Sequence, residues 1–211
     1  MSSYPARWQG VLSRVLSCAV CGGYAGKGRD AWNGCIPPSP FGVNVLFLSE
    51  APPGGINSSF FLCEKLGDDK LRDNVRRGFM ESRNEDFRRV NQFLKAHYYL
   101  LPIFSFPCRR SSGGNANPPV SAIKHSADSH LREIIEFIRP KKVVLLGRSA
   151  LIGGMQLGLV ERREGTSRLR DYLGIHQSKG WDIETFVTYW PQKRQKGGGD
   201  WRHFTRTLVD L

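Results

Sequence analysis

Acid is scarce in this sequence: 19 Asp and Glu stand against 31 Lys and Arg, a formal net charge of +12. Such an imbalance raises affinity for polyanions through phosphate contacts and counterion release, so DNA or RNA is the expected partner. Charge alone is a weak discriminator, and solvated arginine faces are the plainer alternative. Long apolar runs are missing. No stretch of about 18 apolar residues is present to cross a bilayer, and the opening MSSYPARWQG lacks the basic-then-apolar plan of a secretory signal. A cytoplasmic chain with no membrane partner is therefore expected. Internal repeats are also lacking. The five cysteines, an odd count, argue against a disulfide framework in an unsecreted chain and leave metal binding, catalysis or burial. The glycine-rich run Gly22 to Gly28 is no phosphate loop: it follows no strand, and it lacks both the first glycine and a Ser or Thr after Lys27.

What is present suits one compact domain. A chain of 211 residues, 40% hydrophobic and 11% aromatic, can bury a continuous core, and a single domain over 1–211 acting as a monomer is expected. Trp8, Val11, Leu12, Val15 and Leu16 fall at helical spacing between Tyr4 and Ser17. Irregular chain is expected through the glycines from Gly22 to Gly34 and the Pro37-Pro38-Ser39-Pro40 loop. Val43 to Leu48 is a continuous apolar run between turn-forming clusters, which predicts a strand buried on both faces. Further strands are predicted at Tyr99 to Ser105, Val143 to Gly147 and Thr185 to Tyr189. Helices are predicted over about 61–80, 85–96, 121–138 and 149–157 and from Asp200 onward, with Tyr172 to Trp181 irregular or a hairpin.

Strands alternating with helices specify an α/β fold with a short four-stranded parallel sheet flanked by helices, whose ligands sit outside the carboxyl ends of the strands. The loops after Leu48, Ser105 and Tyr189 are then the functional ones. Glu50 is a lone carboxylate at the carboxyl end of the first strand, the place in such a sheet where an acid is useful to a site. A solvated loop acid is its plainer reading, and Glu64 is a weaker second candidate. Trp190, Gln192, Lys193 and Arg194 put a bulky ring beside polar and basic groups after the last strand, where a wedge and phosphate clamps are useful for DNA. Arg148 belongs to the same basic set.

Four features, in order, resemble the uracil-DNA glycosylase superfamily. They are Cys18-x-x-Cys21, Ser49-Glu50-Ala51-Pro52-Pro53-Gly54, Arg139-Pro140 leading to Gly147, and Val187-Thr188-Tyr189-Trp190-Pro191 leading to Lys193-Arg194. The second is similar to the water-activating loop of the thermostable iron–sulfur branch, and the last to the His-Pro-Ser loop that enters the minor groove. The resemblance implies a DNA glycosylase with Glu50 as catalytic residue. The base pocket it implies comprises Ser49, Ala51, Pro52, Phe60, Phe61, Phe104, Ser105 and Trp190. Phe60 and Phe61 resemble the family's stacking aromatic, although core packing would explain them equally.

The pattern then departs from the family. Ile103 to Cys108 holds no Asn to read uracil, and Trp190 stands where the family has His, with one indole donor in its place. Uracil is therefore not the expected substrate, with uracil excision in base-excision repair kept as the alternative. A pocket rebuilt for another base, of which glucosylated hydroxymethylcytosine excised by anti-phage glycosylases is a precedent, is preferred to a DNA-binding module that has lost catalysis. The resemblance also implies a bound metal. Cys108 matches the family's third cluster cysteine, the fourth position falls near Ala127, and Cys35 would have to complete the set. A site of Cys18, Cys21, Cys35 and Cys108 would hold a 4Fe–4S cluster or zinc and brace the fold without entering the chemistry. Cys63 is expected to be buried. His125 and His130 are five residues apart, on different faces of an α-helix, and are expected at the surface or at caps, with His125 a remote metal alternative.

Overall fold

The structure, a computed structural model, describes residues 4–25, 31, 36–52, 70–108, 117–166, 168–178, 180–191 and 199–211. The chain opens on α1 (Tyr4–Leu16), which buries Trp8, Val11, Leu12 and Val15 as its spacing dictates. The Trp8 indole donates to the Pro37 carbonyl at 3.1 Å and stacks on Phe137. After a one-turn break comes α2 (Ala19–Ala25), so the glycine-rich segment begins as helix where irregular chain was expected.

β1 (Val45–Ser49) is buried at all five positions. It is followed by α3 (Lys70–Arg83), α4 (Val90–Lys95) and β2 (Tyr98–Pro102). β2 ends earlier than predicted, yet Ile103 and Phe104 still donate to the Ser49 and Glu50 carbonyls at 2.7 and 3.2 Å, which carries the two chains on together past the strand ends. Next, α5 (Val120–Ser126), a π-helical stretch (Ala127–Leu131) and α6 (Arg132–Ile138) run as one continuous helix. It stops at Arg139, in the left-handed conformation just before Pro140. β3 (Lys142–Leu146), α7 (Gly147–Leu157), β4 (Gly174–Gln177), β5 (Glu184–Thr188) and α8 (Gly199–Val209) complete the described chain.

The sheet has five strands in the order β2-β1-β3-β5-β4. The four predicted strands are parallel, with Val45 paired to Tyr98 on one side and to Lys142 on the other. The fifth, β4, is an antiparallel edge strand that forms a hairpin with β5 and corrects the expected count of four. Its residues alternate half-buried and exposed, and Gly, His and Gln leave Ile175 as its sole large apolar side chain, too weak a pattern to separate from a loop. Ser178 closes the hairpin by donating to the Trp181 and Ile183 carbonyls at 2.9 and 3.0 Å.

Helices flank this sheet, and α7 approaches it closely through two glycines. A Cβ on Gly153 would lie 2.3 Å from Ile103 Cγ1, and one on Gly154 would lie 2.4 Å from Leu145 Cδ1. Among the described residues, no helix is long and apolar enough to cross a membrane.

β1 leads to β2 on one side, and the chain then returns to place β3 on the other. The connections therefore diverge at the carboxyl ends of β1 and β3, the reversal point outside which sheets of this kind form their ligand crevice.

Candidate functional site

Two groups of side chains carry chemistry. The first lies at that reversal point. Glu50 follows β1 directly and is half-buried. Its Oε1 accepts a hydrogen bond at 2.9 Å from Ser149 Oγ in the first turn of α7. The bond spans the two strands at which the sheet reverses, so one carboxylate oxygen is fixed against α7. Ser149 is itself buried.

Around Glu50 the expected pocket residues divide. Phe104 is fully buried, with its ring edge-on to Tyr24 at 6.3 Å and tilted against Phe106 at 6.0 Å, and Ser105 is buried beside it. Pro52 is buried and Ala51 half-buried. The Ser49 hydroxyl is buried and donates to the Leu101 carbonyl at 3.4 Å, which spends it within the sheet. Trp190 is half-buried and packs over Gly147, whose position for a Cβ lies 3.7 Å from Trp190 Cβ. Gly147 has φ +86°, a conformation that costs any other residue steric strain, so this glycine sets the β3-to-α7 turn that carries Ser149. Arg148, next to it, is exposed. Phe60, Phe61, Gln192, Lys193 and Arg194, with Cys63 and Glu64, lie outside the described residues. Ser149 was not anticipated; the signal available was a hydroxyl three residues after the end of β3, the strand beside the one that carries Glu50.

The second group joins the α1–α2 break to the long helix. Cys18, Cys21, His125 and His130 each offer one ligand atom, and these atoms all lie within 4.8 Å of one another, close enough to hold a metal ion. Cys18 Sγ is 3.4 Å from His125 Nε2, and the Cys21 backbone N–H donates to Cys18 Sγ at 3.4 Å. Neither cysteine is in a disulfide. Burial, reinforced by the neighbouring Cys18, pushes the Cys21 thiol well above its ordinary range. His130 is 6% exposed, and neither of its ring nitrogens has a hydrogen-bond partner. Burial and the nearby His125 hold its imidazole toward the neutral, metal-binding form. Tyr24 Oη donates to Ser121 Oγ at 3.1 Å and Arg14 pairs with Glu133, and these two contacts tie α2 and α1 to the long helix on either side of the group.

The expected metal set is thereby changed. Cys18 and Cys21 are in the group, but its other two members among the described residues are histidines. Cys108 is buried beyond β2, its thiol 3.9 Å from the Phe106 carbonyl, and is not in the group. Cys35 lies outside the described residues. The histidines also overturn the helical-face argument. In an α-helix of 3.6 residues per turn, a five-residue step ends about 140° from its start. Between His125 and His130 the helix takes π geometry, with hydrogen bonds spaced i to i+5, and the two rings meet edge-on with centroids 6.0 Å apart.

Neither a protein-family model nor a curated protein sequence matches the chain.

Proposed function

We propose that this chain is a DNA glycosylase that hydrolyses the N-glycosidic bond of a modified base swung out of the duplex and leaves an abasic site. The observation that carries the reading is the Glu50 carboxylate held by Ser149 at 2.9 Å, at the point where the sheet reverses. Bond breaking at C1′ builds an oxocarbenium-like sugar, and a fixed carboxylate stabilises that charge more than a solvated one does. Glu50 takes a proton from water as the water oxygen bonds to C1′. The base departs with the glycosidic electron pair and takes up a proton. Ser149, donating to Oε1, leaves the other carboxylate oxygen available for the water.

Trp190 supplies a half-buried aromatic ring after β5, Arg148 is an exposed cation at the same end of the sheet, and the net charge of +12 suits a phosphate backbone. The missing Asn after β2 and the indole of Trp190 argue for a base other than uracil. Glucosylated hydroxymethylcytosine in phage DNA is the modified base we favour, and the protein acts as a cytoplasmic monomer. A metal held by the Cys/His group braces the fold, since water and a carboxylate suffice for the hydrolysis.

The test is incubation of duplexes and single strands carrying uracil, methylated, hydroxymethylated and glucosylated cytosines with the protein, followed by alkaline cleavage of abasic sites. Strand cleavage on a modified base, abolished in Glu50→Gln, supports the reading. The competing reading, a DNA-binding module without catalysis, is favoured by equal DNA affinity of wild type and Glu50→Gln with no base released by either.

A further inference from the structure

We propose that Cys18, Cys21, His125 and His130 bind a single zinc ion in a tetrahedral site of two sulfurs and two nitrogens. This stands on the geometry of the four residues and is independent of the glycosylase reading. Zinc bonds of about 2.3 Å to sulfur and 2.0–2.1 Å to nitrogen, set tetrahedrally, separate the ligand atoms by about 3.3–3.8 Å. The Cys18 Sγ to His125 Nε2 distance of 3.4 Å falls in that range, and all four atoms converge within 4.8 Å.

Convergence on one point also distinguishes an ion from a cluster. In an iron–sulfur cluster the ligands are shared among several irons, and in the type with two cysteines and two histidines each pair sits on its own iron, which separates the pairs. Soft thiolates with imidazoles in a tetrahedral arrangement select zinc over the hard cations that prefer oxygen. The two cysteines deliver a thiolate pair from the α1–α2 break and the first turn of α2, and the Cys21 N–H donated to Cys18 Sγ supports the charge on that sulfur. Binding forms two zinc–sulfur and two zinc–nitrogen bonds and releases the two thiol protons to water.

Two further observations point to the same ligand. A buried imidazole with both nitrogens unmatched is costly in any protein, and a metal gives one of them a partner. The π-helical stretch Ala127–Leu131 contains neither proline nor glycine to force it, yet it falls where it turns His130 onto the face of His125. Interruptions of this kind concentrate at functional sites.

The experiment is elemental analysis of the purified full-length protein, with acid-labile sulfide measured alongside and the metal-stripped protein reloaded with cobalt(II). One zinc per chain, no labile sulfide and the absorption of tetrahedral cobalt with thiolate charge transfer are expected. Cys21→Ser and His130→Ala should lose the metal, while Cys108→Ser keeps it. Stoichiometry and the cobalt spectrum are read on the wild type, so misfolding of a variant leaves the test intact. Iron with labile sulfide, wild-type protein without stoichiometric metal, or an octahedral cobalt spectrum would each overturn the assignment.

Discussion

His130→Leu is a substitution whose effect on stability changes sign with metal. The neutral imidazole has one N–H donor and one acceptor lone pair, and in the metal-free fold both are buried and unmatched. Leaving a buried polar group unsatisfied costs about 1–3 kcal/mol, and a leucine of similar size removes that cost. In excess chelator the variant should therefore melt above the wild type, by about 2–4 °C for each kcal/mol in a chain of this length. With zinc the order reverses. An ion present at a thousandfold over its Kd stabilises the native state by about 4 kcal/mol, more than the leucine returns, and the variant loses that contribution with the ligand. Thermal melts by circular dichroism, run on both proteins with chelator and with zinc, read the two signs directly. A leucine variant more stable in both conditions refutes metal binding, and one less stable in chelator refutes the account of the orphaned nitrogens.

Other expectations follow from the Glu50 site and the core. Ser149→Ala removes one hydrogen bond to a carboxylate, worth about 1.5–3 kcal/mol; kcat for base release should fall by roughly 10–100-fold with DNA affinity unchanged, as gel shift and single-turnover assays would tell. Gly154→Val should destabilise strongly, because its Cβ would sit 2.4 Å from Leu145 Cδ1 in a helix packed on the sheet; a denaturant midpoint equal to wild type contradicts this. His203, whose Nδ1 lies 2.9 Å from Thr188 Oγ1, has its protonation disfavoured first by burial and then by Arg206. The unfolded chain therefore takes up this proton first. The stability that the neutral ring confers is full above the ordinary value of 6.5 and is lost as pH falls through the lowered folded value. His203→Gln should flatten the dependence of Tm on pH in that window, and an unchanged slope would dismiss the residue as its source.

Legibility in the sequence varied with how local the determinant was. β1 and β3 were readable because a strand buried on both faces must be a continuous apolar run, and α1 because its stripe is strictly helical. β4 was not, since an edge strand with one face in water needs little apolar content. Glu50 was legible from its place after a buried strand, whereas Ser149 becomes visible only when β1 and β3 are known to be neighbours. The histidines are the clearest case. Helical periodicity assigned them to different faces, and the π-helical stretch that aligns them is a departure that periodicity does not encode. That left Cys108 and Cys35 as the expected partners of Cys18 and Cys21 when two histidines from another helix stood ready.

Mass spectrometry of the bases freed from modified bacterial and phage DNA tests the central claim most directly. The account predicts that wild-type protein releases a modified base, that Glu50→Gln releases none while binding the same DNA, and that uracil is released weakly or not at all. Release of no base from any DNA, or release undiminished in Glu50→Gln, would contradict it.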